Sequence, residues 1–119
     1  MNILVVDDSK TVRQYHTEIL KGAGYSVSEA ENGMEAYEKC ADTKFDLFLV
    51  DINMPVMDGY SFVSSLRKME LFKKTPVVMI STEAEDSDKL KAFNAGANVY
   101  YIKPVKPEEL KVCAEILTK

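Results

Sequence analysis

Five short apolar runs rich in branched residues recur along the chain, at Ile3–Val6, Tyr25–Ala30, Leu47–Val50, Val77–Ile80 and Val99–Ile102, and a segment with helical spacing follows each of them. Short runs of this kind suit strands buried on both faces. The first helical segment has Val12, Tyr15, Ile19, Leu20 and Ala23 on one face, Ser9 placed to cap its start, and Gly22 or Gly24 to end it. The second follows an Asn32-Gly33 turn and directs Ala36, Tyr37, Cys40 and Ala41 inward, with Glu35, Glu38, Lys39 and Asp42 outward. The third uses Phe62, Val63, Leu66 and Met69. The fourth, Ser87–Ala95, has a thin stripe, chiefly Leu90 and Phe93, and stops at Gly96. The fifth opens on Pro107, where Glu108 and Glu109 complement the positive end of the helix dipole, and buries Leu110, Cys113, Ala114 and Leu117. Strict strand–helix alternation requires right-handed crossovers, hence a parallel five-stranded sheet covered on both faces: a doubly wound α/β fold.

In such folds ligands bind beyond the carboxyl ends of the strands, where strand order reverses, so the residues that end the strands carry the chemistry. The first run ends in Asp7-Asp8, the third in Asp51, the fourth in Ser81-Thr82 and the fifth in Lys103-Pro104. Two carboxylates about 4 Å apart repel by about 4 kcal/mol at an effective dielectric near 20, so three of them need a compensating cation. Lys103 and Mg²⁺ both serve, since Mg²⁺ prefers oxygen ligands and is held by one or two carboxylates plus phosphate oxygens.

Composition narrows the function classes. A chain of 119 residues with 46% hydrophobic residues suits one domain, residues 1–119, with no segment left for an output domain. A net charge of −4 lacks the basic excess with which nucleic-acid binders neutralise phosphates, so the expected partners are proteins. Ile3–Val6 stops at Asp7-Asp8, no stretch approaches the ~18 apolar residues of a membrane span, and the chain reads as cytoplasmic. Cys40 and Cys113 match neither CxxC nor zinc spacing and read as buried thiols, and His16, the single histidine, reads as a partly exposed helix residue.

Asp7-Asp8, the segment Asp51-Ile52-Asn53-Met54-Pro55-Val56-Met57-Asp58-Gly59, Ser81 and Lys103-Pro104, in that order at the ends of the right strands, resemble the receiver family of two-component signalling over essentially the whole chain. Ser81-Thr82-Glu83-Ala84-Glu85 and Ala95-Gly96-Ala97-Asn98 further resemble the stand-alone chemotaxis regulators. The resemblance implies a flavodoxin-like (βα)5 fold with strand order 2-1-3-4-5 and a phosphorylation-dependent switch, monomeric or weakly dimeric, that is not a turnover enzyme. It makes Asp51 the phosphoacceptor, with phosphoryl supplied by a sensor histidine kinase. It assigns Asp8, Asp51 and the backbone carbonyl of Asn53 to Mg²⁺ (or Mn²⁺), Asp7 to a bound water, Lys103 to the phosphate and a cis peptide to Lys103-Pro104. Ser81 and Tyr100 become the switch pair, and Thr82 stands where the family usually has a smaller residue. Asn53 and Glu83 fall at the rim positions that tune a phosphoryl lifetime of seconds to minutes. Tyr100, with Val112 and Ile116 beside the stripe of the last helix, marks a candidate partner face. The implied targets are the flagellar motor switch, with a phosphatase as a further partner, and the alternative is a relay intermediate or a receiver excised from a larger regulator.

Rival readings fit less well. A haloacid-dehalogenase-type phosphohydrolase needs a second Asp two residues after the nucleophile, where Asn53 stands and cannot act as a general acid. A flavodoxin-like carrier would repel its flavin phosphate at Asp7-Asp8, and Gly22-Ala23-Gly24 follows a helix, the wrong order for a dinucleotide fingerprint.

Overall fold

The computed structural model describes residues 1–119. Strands β1 (Asn2–Val6), β2 (Ser26–Ala30), β3 (Leu47–Asp51), β4 (Val77–Ser81) and β5 (Val99–Ile102) form one parallel sheet ordered β2-β1-β3-β4-β5. They alternate with α1 (Lys10–Gly22), α2 (Gly33–Lys39), α3 (Gly59–Leu66), α4 (Asp86–Ala95) and α5 (Pro107–Leu117), and a 3-10 turn, Glu70–Phe72, precedes β4. The doubly wound fold and strand order read from the sequence are therefore those observed.

Alternation along each strand divides the core in two. Leu4 and Val6 of β1, with Phe48 and Val50 of β3, face α2, α3 and α4 through Ala36, Phe62, Val63, Leu66 and Ala92. Ile3, Val5, Leu47 and Leu49 face α1 and α5 through Leu20, Leu110 and Cys113. Phe48 holds the first core together, with edge-to-face contacts to Phe45, Phe62 and Phe72 at centroid distances of 5.6, 5.9 and 5.4 Å. β3 and β4 are buried along their whole length, whereas β2 and β5, at the edges, are only partly covered.

Several helix faces differ from the sequence reading. α1 buries His16, Thr17 and Leu20, while Tyr15 is exposed and Ala23 lies beyond the helix as its exposed C-cap. Residues 13, 16, 17 and 20 also form a helical stripe, which shares Leu20 with the expected one and is the face turned toward β2, α5 and β1. His16 is consequently 3% exposed, not partly exposed. In α2, Ala36 and Cys40 point inward as expected, but Tyr37 and Ala41 are exposed, and Lys39, expected outward, reaches back to the Glu29 carbonyl. The largest departure is α4, where Leu90 (62%) and Phe93 (47%) are exposed and Ala92 is the one buried residue. A small residue faces the edge of the sheet, so the helix lies close to it and its large apolar side chains project away. Met69 lies past the end of α3, half-buried, and Leu117 is also half-buried.

Caps explain where helices begin. Ser9 Oγ accepts from Val12 N at 3.3 Å, Asn32 Oδ1 from Glu35 N at 2.8 Å and Asp58 Oδ1 from Ser61 N at 2.8 Å, whereas α4 and α5 have no side-chain cap. At the amino end of the sheet, Arg67 donates to the carbonyls of Phe72, Thr75 and Gly96 and to Asn98 Oδ1, fastening the ends of α3, α4 and the 3-10 turn to the entrances of β4 and β5.

Candidate functional site

The strands run one residue further than their apolar runs, so Asp51 and Ser81 are themselves the last residues of β3 and β4. Parallel register sets Asp51 opposite Ile80, so Ser81 lies one residue further along the neighbouring strand, opposite Ile102, and Lys103 N donates to Ser81 O at 2.8 Å just past the end of β5. Lys103-Pro104 is cis. From the other side, β1 delivers Asp7 and Asp8, and one carboxylate oxygen from each of Asp7, Asp8 and Asp51 lies within 4.8 Å of the others.

Asp7 and Asp51 are 2% and 6% exposed, and Asp8 opens to solvent. Lys103 Nζ bridges the two buried carboxylates, 2.8 Å from Asp51 Oδ1 and 3.2 Å from Asp7 Oδ2. Burial pushes the Asp51 carboxyl up to about 6, with the charges of Asp7 and Asp8 adding to the shift and the Lys103 hydrogen bond opposing it. Burial works against the Lys103 ammonium, yet its hydrogen bond to Asp51 and the charges of Asp51 and Asp7 hold its pKa above the ordinary range. One ammonium does not balance three carboxylates. The donor set is hard oxygen throughout, partly open at Asp8, and of the kind that takes a divalent cation such as Mg²⁺ while leaving positions for water and phosphate oxygens.

Ser81 is fully buried and its Oγ accepts from Glu83 N at 3.0 Å. The carbonyl of the same Glu83 accepts from Tyr100 Oη at 2.9 Å, so Ser81 and Tyr100 grip one residue of the β4–α4 loop. Asn53 and Glu83 are exposed on the loops beside Asp51 and Ser81, and Thr82, next to Ser81 in the chain, is exposed as well. Val112 (53%) and Ile116 (61%) lie outside the core, as does Ile102 on β5.

Three features of the site escaped the sequence reading. Gly59 packs on the backbone at the end of β3: a Cβ there would stand 2.6 Å from Asp51 O and 2.8 Å from Ile52 Cα, and Gly59 N donates to Ile52 O at 2.8 Å. His16 lines an apolar groove of about 230 Å³ with Val12, Tyr15, Lys103, Pro104 and Val105, and burial lowers its pKa although the charge of Asp7 opposes this. Tyr60 joins α3 to α4, its hydroxyl donating to Asp88 O at 3.4 Å and its ring under Lys91 Nζ at 4.5 Å.

The family model for the response regulator receiver domain matches residues 3–115. The chain belongs to the receiver domain family. This receiver is 42% identical over 121 residues to the chemotaxis protein CheY1 of Helicobacter pylori, covering 98% of this chain and 96% of that one. It is 39% identical to protein PilG of Pseudomonas aeruginosa, covering 92% and 82% respectively. The solved chemotaxis response regulator CheY4 of Vibrio cholerae superposes with a TM-score of 0.92 at 37% identity, covering 98% and 97%. The receiver is thus a signalling module of two-component systems, which implies a histidine kinase as phosphodonor and a downstream target. No helix is long and apolar enough to cross a membrane.

Proposed function

We propose that this receiver takes a phosphoryl group onto Asp51 from the phosphohistidine of a sensor kinase and signals to a protein target in the cytoplasm through Ser81 and Tyr100. The observation that carries this reading is the nearly buried Asp51 carboxylate at the end of β3, 2.8 Å from the Lys103 ammonium and grouped with Asp7 and Asp8. An Asp51 carboxylate oxygen attacks phosphorus; the phosphorus–nitrogen bond breaks, and its electron pair leaves on the donor imidazole. Asp8, Asp51 and the Asn53 carbonyl would hold the Mg²⁺, with Asp7 beside them in the same acidic group acting through a bound water. When bound, the cation offsets negative charge on the phosphoryl oxygens. Lys103 pairs with a second oxygen from the side on which it already meets Asp51.

Ser81 supplies the third contact. Its oxygen is engaged by Glu83 N, which leaves the hydroxyl proton free for a phosphoryl oxygen. A shift of Ser81 toward the phosphoryl group pulls on Glu83, and Tyr100 is bonded to the carbonyl of that residue. Tyr100 thereby reports the state of Asp51 to the surface bearing Val112 and Ile116, to which the exposed Leu90, Phe93 and Ile102 are added. Similarity to chemotaxis regulators makes the flagellar motor switch the first target to test, with a phosphatase as a further partner. Asn53 and Glu83 set the access of water and hence a lifetime of seconds to minutes by autodephosphorylation.

Incubation with a small-molecule phosphodonor and Mg²⁺, followed by intact mass measurement, is expected to show one phosphoryl adduct on the wild type and none on Asp51→Asn. An adduct surviving in the variant overturns the acceptor assignment, and persistence for hours in Mg²⁺ buffer overturns the lifetime.

A further inference from the structure

The acidic corner is held by a residue that contributes no ligand to it. Arg13, on the first turn of α1, has a side chain only 14% exposed. Its Nε donates to Glu29 Oε1 of β2 at 2.9 Å and its Nη1 donates to the backbone carbonyl of Asp7 at 2.7 Å. Arg13 forms no ion pair with Asp7, Asp8 or Asp51; Glu29 is its only carboxylate partner. A guanidinium within reach of carboxylates ordinarily clasps one with two parallel hydrogen bonds. Here Glu29 occupies one edge of the guanidinium and the Asp7 carbonyl occupies another, which keeps it off the carboxylates.

The Asp7 carbonyl belongs to the peptide plane that carries the Asp8 nitrogen, so fixing that carbonyl fixes the direction in which Asp8 leaves β1. The remaining polar atoms of Asp7 are held as well: its N donates to Ala30 O at 3.1 Å, Oδ1 accepts from Ser9 N at 2.9 Å and Oδ2 accepts from Lys103 at 3.2 Å. Asp8 has no hydrogen bond of its own and is exposed, so its aim depends on the peptide before it.

We propose that Arg13, tethered by Glu29, is a positioning residue that orients the Asp7-Asp8 peptide and so aims the Asp8 carboxylate at the divalent cation. This rests on the reading of Asp7, Asp8 and Asp51 as the cation site. The sign of the effect separates positioning from charge. Loss of a nearby positive charge would by itself tighten cation binding, whereas loss of an orienting group weakens it, by about tenfold or more for outer residues of metal sites.

The test is an MgCl₂ titration of the whole chain, followed by amide chemical shifts, for the wild type, Asp8→Asn, Arg13→Met and Arg13→Lys. Arg13→Met is expected to weaken Mg²⁺ binding about tenfold. It should also speed amide exchange at Asp8 and Ser9 in the metal-free protein. Arg13→Lys keeps the charge and one donor for the Asp7 carbonyl but loses the fork that also holds Glu29, so an intermediate affinity is expected; it decides the matter if Arg13→Met does not fold. Unchanged or tighter binding in Arg13→Met, or wild-type affinity in Arg13→Lys, overturns the positioning role. If Asp8→Asn binds Mg²⁺ as tightly as the wild type, the cation-site reading itself has failed and the inference falls with it.

Discussion

The two sides of β3 are built differently. On the β1 side, Asp7 has every polar atom engaged, α1 is capped by Ser9, and Arg13 ties three elements together at 2.7 and 2.9 Å. On the β5 side, α4 has no side-chain cap, buries one residue, and exposes both of its large apolar side chains. The loop before it is held by two hydrogen bonds to a single residue, Glu83. The side that holds charge is rigidly preorganised, as cation and phosphate sites require. The β5 side has few buried contacts, the mark of a segment that opens at low cost.

The largest effect expected to test this contrast comes from Asp51, which both sides share. Burial lifts its carboxyl from the ordinary 3.8 to about 6, so between those pH values the folded metal-free protein binds more protons than the unfolded one. Its contribution therefore disfavours folding increasingly as pH rises from about 4 to about 6, by up to about 3 kcal/mol for a shift of about two pH units. Denaturant midpoints compared with those of Asp51→Asn, which removes the titration, should show the variant's advantage growing across that window. Added Mg²⁺ should shrink the advantage, with amide shifts at the ends of β1 and β3 and few in α4; equal shifts on both sides would break the contrast.

Gly59→Ala should cost about 2 kcal/mol, because the added methyl meets the backbone of Asp51 and Ile52 rather than a side chain that could yield. Chemical denaturation measures this, and the loss of order should reach both sides of β3. A smaller and one-sided effect is expected of Tyr60→Phe. Its long hydrogen bond to Asp88 sits at the weak end of the range, about 0.5 kcal/mol, so α4 amides should exchange about twofold faster while α1 amides do not change. Acceleration of α1 as well would show that α4 is not held independently.

Much of this was legible from residue order. The strands and the meeting of Asp7, Asp8, Asp51, Ser81 and Lys103 at one edge follow from the apolar runs and the residues placed at their ends, and the order of the strands in the sheet from the resemblance to the receiver family. What escaped reading was rotation and reach. Periodicity says that α1 has an apolar face, but only packing against α5 decides that His16 is inside and Tyr15 outside. In α4, Leu90 and Phe93 were the obvious core candidates, yet a small residue at the contact brings the helix backbone closest. Arg13, Glu29 and Tyr60 act through backbone carbonyls and side chains far away in sequence, and nothing in the order of residues marks such partners.

Arg67 sets the geometry of what can move. By binding the Gly96 carbonyl through two nitrogens, with Asn98, Phe72 and Thr75 on the same guanidinium, it pins the carboxyl end of α4 to the floor of the sheet. The other end, at Asp86, is uncapped. The amino half of α4 is held more lightly, by the 3.4 Å hydrogen bond from Tyr60 Oη to Asp88 O and by Lys91 over the Tyr60 ring, so a displacement of α4 would pivot near Gly96 and grow toward Asp86. A ten-residue helix is a lever of about 15 Å, and a tilt of about 10° would carry its amino end by roughly 2.5 Å while Gly96 stayed in place. A partner seated near Asp86 would sense nearly all of that displacement, and one seated near Ala95 almost none.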